Sequence, residues 1–433
     1  MTASNTALLT DHYELTMIAA ALAGGSAHRN CTFELFARRL PDGRRYGVVA
    51  GTGRLVEQLA EFTFGPDELA LVEPFLDPET VRWLGEYRFS GDIDGYPEGE
   101  LYFPGSPVLT VRGTFAEAVV LETLALSIIN HDSAIASAAA RMVTASGSRP
   151  IIEMGSRRTH EQAAVASARA GYLAGMSATS NLEAARRHGI PSTGTSAHSF
   201  TLLHTTADGP DEKAAFAAQV ARLGVGTTLL VDTYDIAQGV ANAIEVAGPE
   251  LGGVRIDSGD LGMLARQVRQ QLDDLGATKT RIVVSGDLDE YAIAALRAEP
   301  VDAYGVGTSL VTGSGSPTAG MVYKLVEVDG IPVAKRANRK ESRGGAKTAL
   351  RTAKPSGTIL EEVVYPTGSA APELTSSSRP LQIPLVRDGK PVDGLPTLEQ
   401  SRRHLAEALV SLPWEGLGLS HGEPAIPTRF VGP

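Results

Sequence analysis

The sequence predicts an α/β fold: a (β/α) barrel-like catalytic domain beside a mixed α/β domain built from the N-terminal and C-terminal segments. Three observations predict it. The chain has 433 residues, too many for one ordinary core, so two or three domains are expected. Between residues 117 and 325, seven short β-rich runs recur, each closing on polar or glycine residues and leading into a helical stretch. Their spacing is mostly that of one strand–helix unit, and seven are too many for a single mononucleotide-binding half. A closed or nearly closed barrel follows, with active-site residues at the strand C-terminal ends. The flanking segments have a different texture, short alternating runs punctuated by Gly and Pro. The expected division is 1–115, 116–325 and 326–433.

In chain order, residues 14–23 have helical apolar spacing, and 32–36 and 46–50 alternate like strands. Gly51-Thr52-Gly53 then opens a helix over 54–62. The third glycine and later acidic residue of a dinucleotide loop are missing, so this is a turn. Residues 92–112 read as short antiparallel strands, and 117–145 as one long apolar helix. The β-rich runs are 150–154, 176–179, 191–193, 227–231, 253–256, 281–284 and 301–304. Beyond them lie strands at 323–328 and 358–365, a Gly/Ser/Pro-rich loop near 368–378, and a final amphipathic helix over 398–412.

Composition narrows the function. Hydrophobic residues make up 43% and charged residues 21%, as in ordinary folded proteins. A net charge of −11 argues against nucleic-acid or anionic-membrane partners, which would repel it. An anionic substrate would need a local cluster of cations, for which the basic run 335–347 is a candidate. The single cysteine, Cys31, allows no intrachain disulfide and no zinc framework, and its alternating context suits a buried structural thiol. Residues 1–10 carry no basic region followed by an apolar run, and no run of about 18 apolar residues occurs. A cytoplasmic protein is expected.

The polar residues after the seven runs form the candidate site. The first leads to Met154-Gly155-Ser156-Arg157-Arg158, where adjacent arginines either hold a carboxylate or phosphate or form a solvated pair. The second leads to Thr179-Ser180-Asn181 and a helix over 182–188, whose N-terminus offers free N–H groups. The third leads to Gly194-Thr195-Ser196-Ala197-His198-Ser199. A histidine among small residues has an accessible ring nitrogen, as a general base or a phosphate acceptor requires; the bland alternative is a packed histidine. The fourth, fifth and sixth end in Asp232, in Arg255-Ile256-Asp257-Ser258-Gly259-Asp260 and in Ser285-Gly286-Asp287. This ring of carboxylates suits ribose hydroxyls or magnesium, although Ser258 or Asp260, and Asp287, would also serve as helix N-caps. The seventh ends in Tyr304-Gly305-Val306-Gly307-Thr308-Ser309, whose glycines would let backbone N–H groups approach a phosphate. No Walker A loop occurs, so any ATP is held otherwise. Residues of these kinds at one barrel mouth fit a phosphorylated sugar substrate.

At these residues the chain resembles the nicotinate phosphoribosyltransferase family, with the nicotinamide enzyme more distant. The resemblance runs from Thr10-Asp11-His12-Tyr13-Glu14-Leu15 to the terminal helix, and its most specific parts are Gly155-Ser156-Arg157-Arg158, 194–199, 255–261 and 304–310. It implies the irregular (β/α) barrel of type II phosphoribosyltransferases and an ATP-dependent, ligase-type reaction. Nicotinate and 5-phosphoribosyl 1-pyrophosphate would give nicotinate mononucleotide and pyrophosphate in NAD biosynthesis, with Mg2+ and with ATP as co-substrate. His198 would be phosphorylated. Arg157 would lie against nicotinate and the ribosyl phosphate region. Asp232, Asp257 and Asp287, with Arg255 nearby, would orient the ring and ribose, and Gly286, Gly305, Gly307 and Thr308 would hold phosphate. Tyr13 would stack on the pyridine from a neighbouring copy, so each site would need a homodimer. Two positions differ from relatives: Met154 stands where Phe is common, and Ser180 where the nicotinamide enzyme carries Asp. Quinolinate phosphoribosyltransferase and a lapsed barrel that only binds are the competing readings. The first would need more cations for its second carboxylate.

Overall fold

The computed structural model describes residues 5–335, 343–370 and 377–432. Most of the basic run 335–347, and part of the loop 368–378, lie outside the described residues. The chain divides into two compact units, Met1–Ser137 with Ser316–Pro433, and Ala138–Gly315.

The first unit joins the two ends of the chain in one seven-stranded antiparallel sheet. Its order is Ile331–Pro332, Met321–Val328, Asn30–Ala37, Leu109–Thr114, Asp92–Gly95, Ile383–Arg387 and Lys390–Pro391. The strand Asn30–Ala37 is central and nearly all buried, so its alternation places Phe33 and Leu35 on one face and Thr32 and Glu34 on the other. Phe33 stacks on Tyr323 at 4.9 Å, and Cys31 lies 5% exposed in the same strand. Burial pushes its thiol up to about 11. That is the structural thiol expected from its context.

A four-stranded sheet, Arg379–Pro380, Lys347–Ala353, Ile359–Pro366 and Thr428–Phe430, completes this unit. Between its strands and the 92–103 region lies a buried ion cluster. Arg351 donates to Glu100, to the Leu101 carbonyl at 2.8 Å and to Glu362 at 2.7 Å. Tyr96 donates to the other Glu362 oxygen at 2.7 Å, and His404 and Arg379 reach Glu100 at 3.0 and 2.7 Å. Burial alone would raise the Glu100 carboxyl, but Arg351, with His404 and Arg379, outweighs it and holds the group far below the usual carboxylate range. Arg351→Met would remove the guanidinium that two buried carboxylates share, with an expected loss of about 3–5 kcal/mol in denaturant unfolding at neutral pH. A carboxyl lowered on folding contributes stability above its unfolded pKa and loses it as pH falls. The mutant's deficit should therefore shrink toward acid pH. A deficit that stays unchanged as pH falls below 4.5, the ordinary value for this carboxyl, would contradict this account.

The 117–145 helix is two helices, Phe115–Val119 and Glu122–Ser146. The start moves forward because Thr114 and Glu117 form a reciprocal capping box. The combined stretch Phe115–Ser146 passes the length and composition test for a membrane span, but 67% of its apolar window is buried inside the protein. It reads as a core helix.

The second unit holds six parallel strands. Their spatial order is Thr228–Leu230, Gly253–Ile256, Arg281–Val284, Ala303–Val306, Ile151–Glu153 and Ala178–Thr179. A parallel bridge from Thr179 to Ser192 adds a seventh position, in place of the strand expected at 191–193. The sequence there, Pro191-Ser-Thr-Gly-Thr-Ser, lacks both an N–H at Pro191 and the apolar side chains that would hold a strand between helices. The order is the chain order rotated, as in a barrel, but no pair joins Ser192 to Thr228 among the described residues. The result is a curled half-barrel, open at one seam. In sequence, that seam carries the helix His198–Leu203, the hairpin Thr205–Thr206 with Gly209–Pro210, and the helix Glu212–Leu223.

Candidate active site

All the expected strand-end residues except Tyr13 fall in the second unit, at or just beyond the C-terminal ends of its parallel strands. At the open seam stands His198, the first residue of its helix, with its side chain 41% exposed. Nδ1 lies 3.1 Å from the Thr233 hydroxyl, and Nε2 lies 3.9 Å from Asp232 Oδ1. The ring is thus neither packed in the core nor free. The turn that follows the strand Thr228–Leu230 holds one ring nitrogen through Thr233 and sets Asp232 near the other.

Asp232 is not placed as expected. Its side chain is 1% exposed, and Oδ2 accepts from the Asp257 amide and the Ser258 hydroxyl, each at 2.9 Å. Its carboxylate is turned into the protein, in the wall of the site rather than at the mouth.

Asp257 sits one strand further along. Ser285 donates to its Oδ1, and the Arg255 guanidinium stands 3.6 Å away. Arg255, with its side chain 12% exposed, donates from its other terminal nitrogen to the Thr195 hydroxyl at 2.9 Å and the Ser196 carbonyl at 3.4 Å. It therefore ties the strand Gly253–Ile256 to the segment that presents His198. Asp260, not Ser258, caps the helix Leu261–Asp274, and Asp289, not Asp287, caps Glu290–Leu296. The exposed Asp287 is released from a capping role.

The glycines divide. Gly286 has a φ of +127°, a backbone few other residues adopt, at the turn after Arg281–Val284. Gly307 caps the short helix Thr308–Val311, with Thr308 exposed. Gly305, however, is a buried residue inside the strand Ala303–Val306, which runs past the expected end at 304. A Cβ there would come within 2.7 Å of Met154 Sδ and 3.1 Å of Ser285 Cβ. Gly305 makes room for Met154 and is not a residue of the loop, which corrects its assignment to direct phosphate contact.

Opposite His198, the first two strand ends are tied together. Glu153 is buried, accepting from the Thr179 hydroxyl and the Gly155 amide, while Asn181 donates to Ser156 at 3.0 Å. Burial pushes the Glu153 carboxyl up against the pull of those two donors. Beyond this brace Arg157, Arg158 and Ser180 are exposed, and no carboxylate pairs with either arginine among the described residues. Such unpaired guanidinium groups are available to an anion.

Tyr13 lies in the other unit, 46% exposed on the helix His12–Ala23. Burial, then Glu122, Glu14 and Asp11, push its phenol up to about 12, so it stays a neutral donor. Reading motifs alone gave no role to Thr233, Ser285 or Thr195. Each directly neighbours or lies close to a residue that was singled out, but nothing in a linear sequence says which side chain crosses to another strand end.

Among the described residues no group of three or more His, Cys, Asp or Glu side chains could hold a metal ion. Asp232 is engaged in the wall of the site and Asp260 in a helix cap, which leaves Asp257 and Asp287 too few for a dedicated metal cage. A magnesium ion carried on phosphate oxygens fits, because that ion keeps most of its shell from water and substrate.

Comparison with known proteins agrees with this geometry. The nicotinate phosphoribosyltransferase N-terminal domain matches residues 8–130 and the nicotinate phosphoribosyltransferase family matches residues 150–356. A nicotinate phosphoribosyltransferase of Mycobacterium tuberculosis is 67% identical over 427 residues, covering 98% of this chain and 95% of the relative. The human enzyme of that name is 31% identical over 98% of this chain and 93% of its own. The crystal structure of human nicotinic acid phosphoribosyltransferase superposes with a TM-score of 0.84 at 27% identity, covering 97% of each chain. With both domains matched, in order and at nearly full length, the chain belongs to the nicotinate phosphoribosyltransferase family.

Proposed function

We propose that this enzyme joins nicotinate to 5-phosphoribosyl 1-pyrophosphate, giving nicotinate mononucleotide and pyrophosphate, and hydrolyses ATP through a phosphohistidine at His198. The reaction belongs to NAD biosynthesis from nicotinate (salvage) in the cytoplasm, and the working unit is a homodimer in which Tyr13 of one copy covers the pyridine in the other. The observation that carries this reading is the half-exposed His198 ring, held between Thr233 and Asp232 at the mouth of a parallel half-barrel.

In the coupling step a nitrogen of His198 attacks the γ-phosphorus of ATP. The bond to ADP breaks, an N–P bond forms, and the ring proton leaves to solvent; water later cleaves the N–P bond to release phosphate. In the transfer step the pyridine nitrogen attacks the anomeric carbon as the bond to pyrophosphate breaks. Positive charge develops on the ribose ring, and Asp257, oriented by Ser285, faces it. Arg157 meets the nicotinate carboxylate and the ribosyl phosphate region, Ser180 donates to that carboxylate, and Met154 lies against the ring at about 0.3–1.5 kcal/mol for a sulfur–aromatic contact. Asp287 serves the ribose hydroxyls, and Gly286, Gly307 and Thr308 the 5′-phosphate. Magnesium, arriving on the diphosphate, supplies charge neutralisation of the leaving group.

The test is direct: purified protein is given nicotinate and phosphoribosyl pyrophosphate with and without ATP, and nucleotide is measured by chromatography. Nicotinate mononucleotide is expected in both, faster with ATP and accompanied by ADP. No nucleotide with all substrates present would instead leave a binding protein on a barrel scaffold.

A further inference from the structure

The contacts around His198 close a ring. Thr195, three residues before His198, holds Arg255; Arg255 stands by Asp257; the Asp257 amide donates to Asp232; and Asp232 faces His198 again. The Asp232 carboxylate stands between the 257–258 turn and the His198 ring. Oδ2 takes both donors of the 257–258 turn, while Oδ1 is buried, has no hydrogen-bond partner and is aimed at His198 Nε2 from 3.9 Å. A buried carboxylate oxygen with no such partner among the described residues responds strongly to a change of charge on the ring beside it.

We infer that Asp232 is a positioning residue that transmits the charge state of His198 to the ribose-facing turn 257–258. This inference rests on phosphorylation of His198. An unmodified ring leaves Asp232 as the structure shows it, with Oδ1 3.9 Å from Nε2. A phosphoryl group adds close to two negative charges to the same ring. Like charges a few ångströms apart repel where screening is poor, and the carboxylate that feels the repulsion also accepts from the Asp257 amide and the Ser258 hydroxyl. The turn that presents Asp257 to the sugar therefore has two settings, selected by the histidine. Asp232 needs no contact with substrate for this, and its side chain, 1% exposed, makes none available.

Asp232→Asn keeps the shape and removes the charge. The readout is the ratio of KM for phosphoribosyl pyrophosphate without ATP to that with ATP, alongside acid-labile phosphate on His198. Site-to-site couplings are typically about 5- to 150-fold; the wild type should show a ratio in that range, and D232N one below about twofold while His198 is still phosphorylated. Ser258→Ala, which deletes one of the two donors on Oδ2 and leaves the carboxylate, should reduce the ratio partway and decides the matter if D232N does not fold. A full wild-type ratio in either variant overturns the inference. So does loss of His198 phosphorylation in D232N, since Asp232 would then act in phosphoryl transfer itself. Absence of phosphate on wild-type His198 would instead remove the phosphohistidine reading, a separate failure.

Discussion

His198→Ala is expected to lose all stimulation by ATP while keeping slow transfer from phosphoribosyl pyrophosphate to nicotinate. Among the described residues the imidazole pairs with the Thr233 hydroxyl and stands 3.9 Å from the buried Asp232, and truncation leaves Asp257, Ser285 and Arg255 in their contacts. In the proposed mechanism the glycosidic bond is made by those groups and by substrate, and energy coupling by the ring. ATP stimulation of about tenfold or more in the wild type should fall to within twofold of none. The nearest control is His204, whose Nδ1 is 2.9 Å from the Phe200 carbonyl and is occupied within its own helix turn. His204→Ala should retain both acid-labile phosphate and the ATP effect. Full stimulation in the His198 variant would exclude the phosphohistidine.

The second large effect concerns substrate choice. Nicotinate should be preferred over nicotinamide by about a thousandfold in kcat/KM, equivalent to ~4 kcal/mol. Arg157 and Arg158 stand unpaired at the first strand end, and Ser180 is exposed at the second, its amide fixed on the Glu153 carbonyl at 2.8 Å. All three are donors. A carboxylate satisfies them, whereas an amide turns either its own NH2 toward donors or a weaker neutral oxygen. Ser180→Asp should erode the preference by placing a like charge against nicotinate. The check is side-by-side kinetics on the two pyridines, and comparable efficiency in the wild type would refute the assignment.

The parallel strands were legible because each is a short apolar run closed by polar or glycine residues, and burial between helices demands that pattern. Six of the seven runs form strands in chain-rotated order. The run at 191–193 was overread: its neighbours are small and polar, and only a bridge at Ser192 remains. The antiparallel strands at 32–36 and 92–112 were equally readable by alternation, whereas the 46–50 run shortens to Gly47–Val48. Which N-terminal strand pairs with which C-terminal one was not readable. The pairing of Asn30–Ala37 with Met321–Val328 spans nearly 300 residues and depends on complementary faces rather than local preference.

By itself, the sequence determined the parts: barrel-like parallel strands, the polar residues at their ends, one accessible histidine and a family resemblance carried by four motifs. Only the tertiary structure decided how those parts divide the work. It turned Asp232 inward and left Asp287 out, moved Gly305 from the loop into the strand against Met154, and joined Thr195 to Arg255 across two strand ends. The physical reason is that residue type and spacing report what a side chain can do and which face it occupies. Hydrogen-bond partners from other strands, and the burial they impose, decide which of its capacities is already used within the protein and which remains for a ligand.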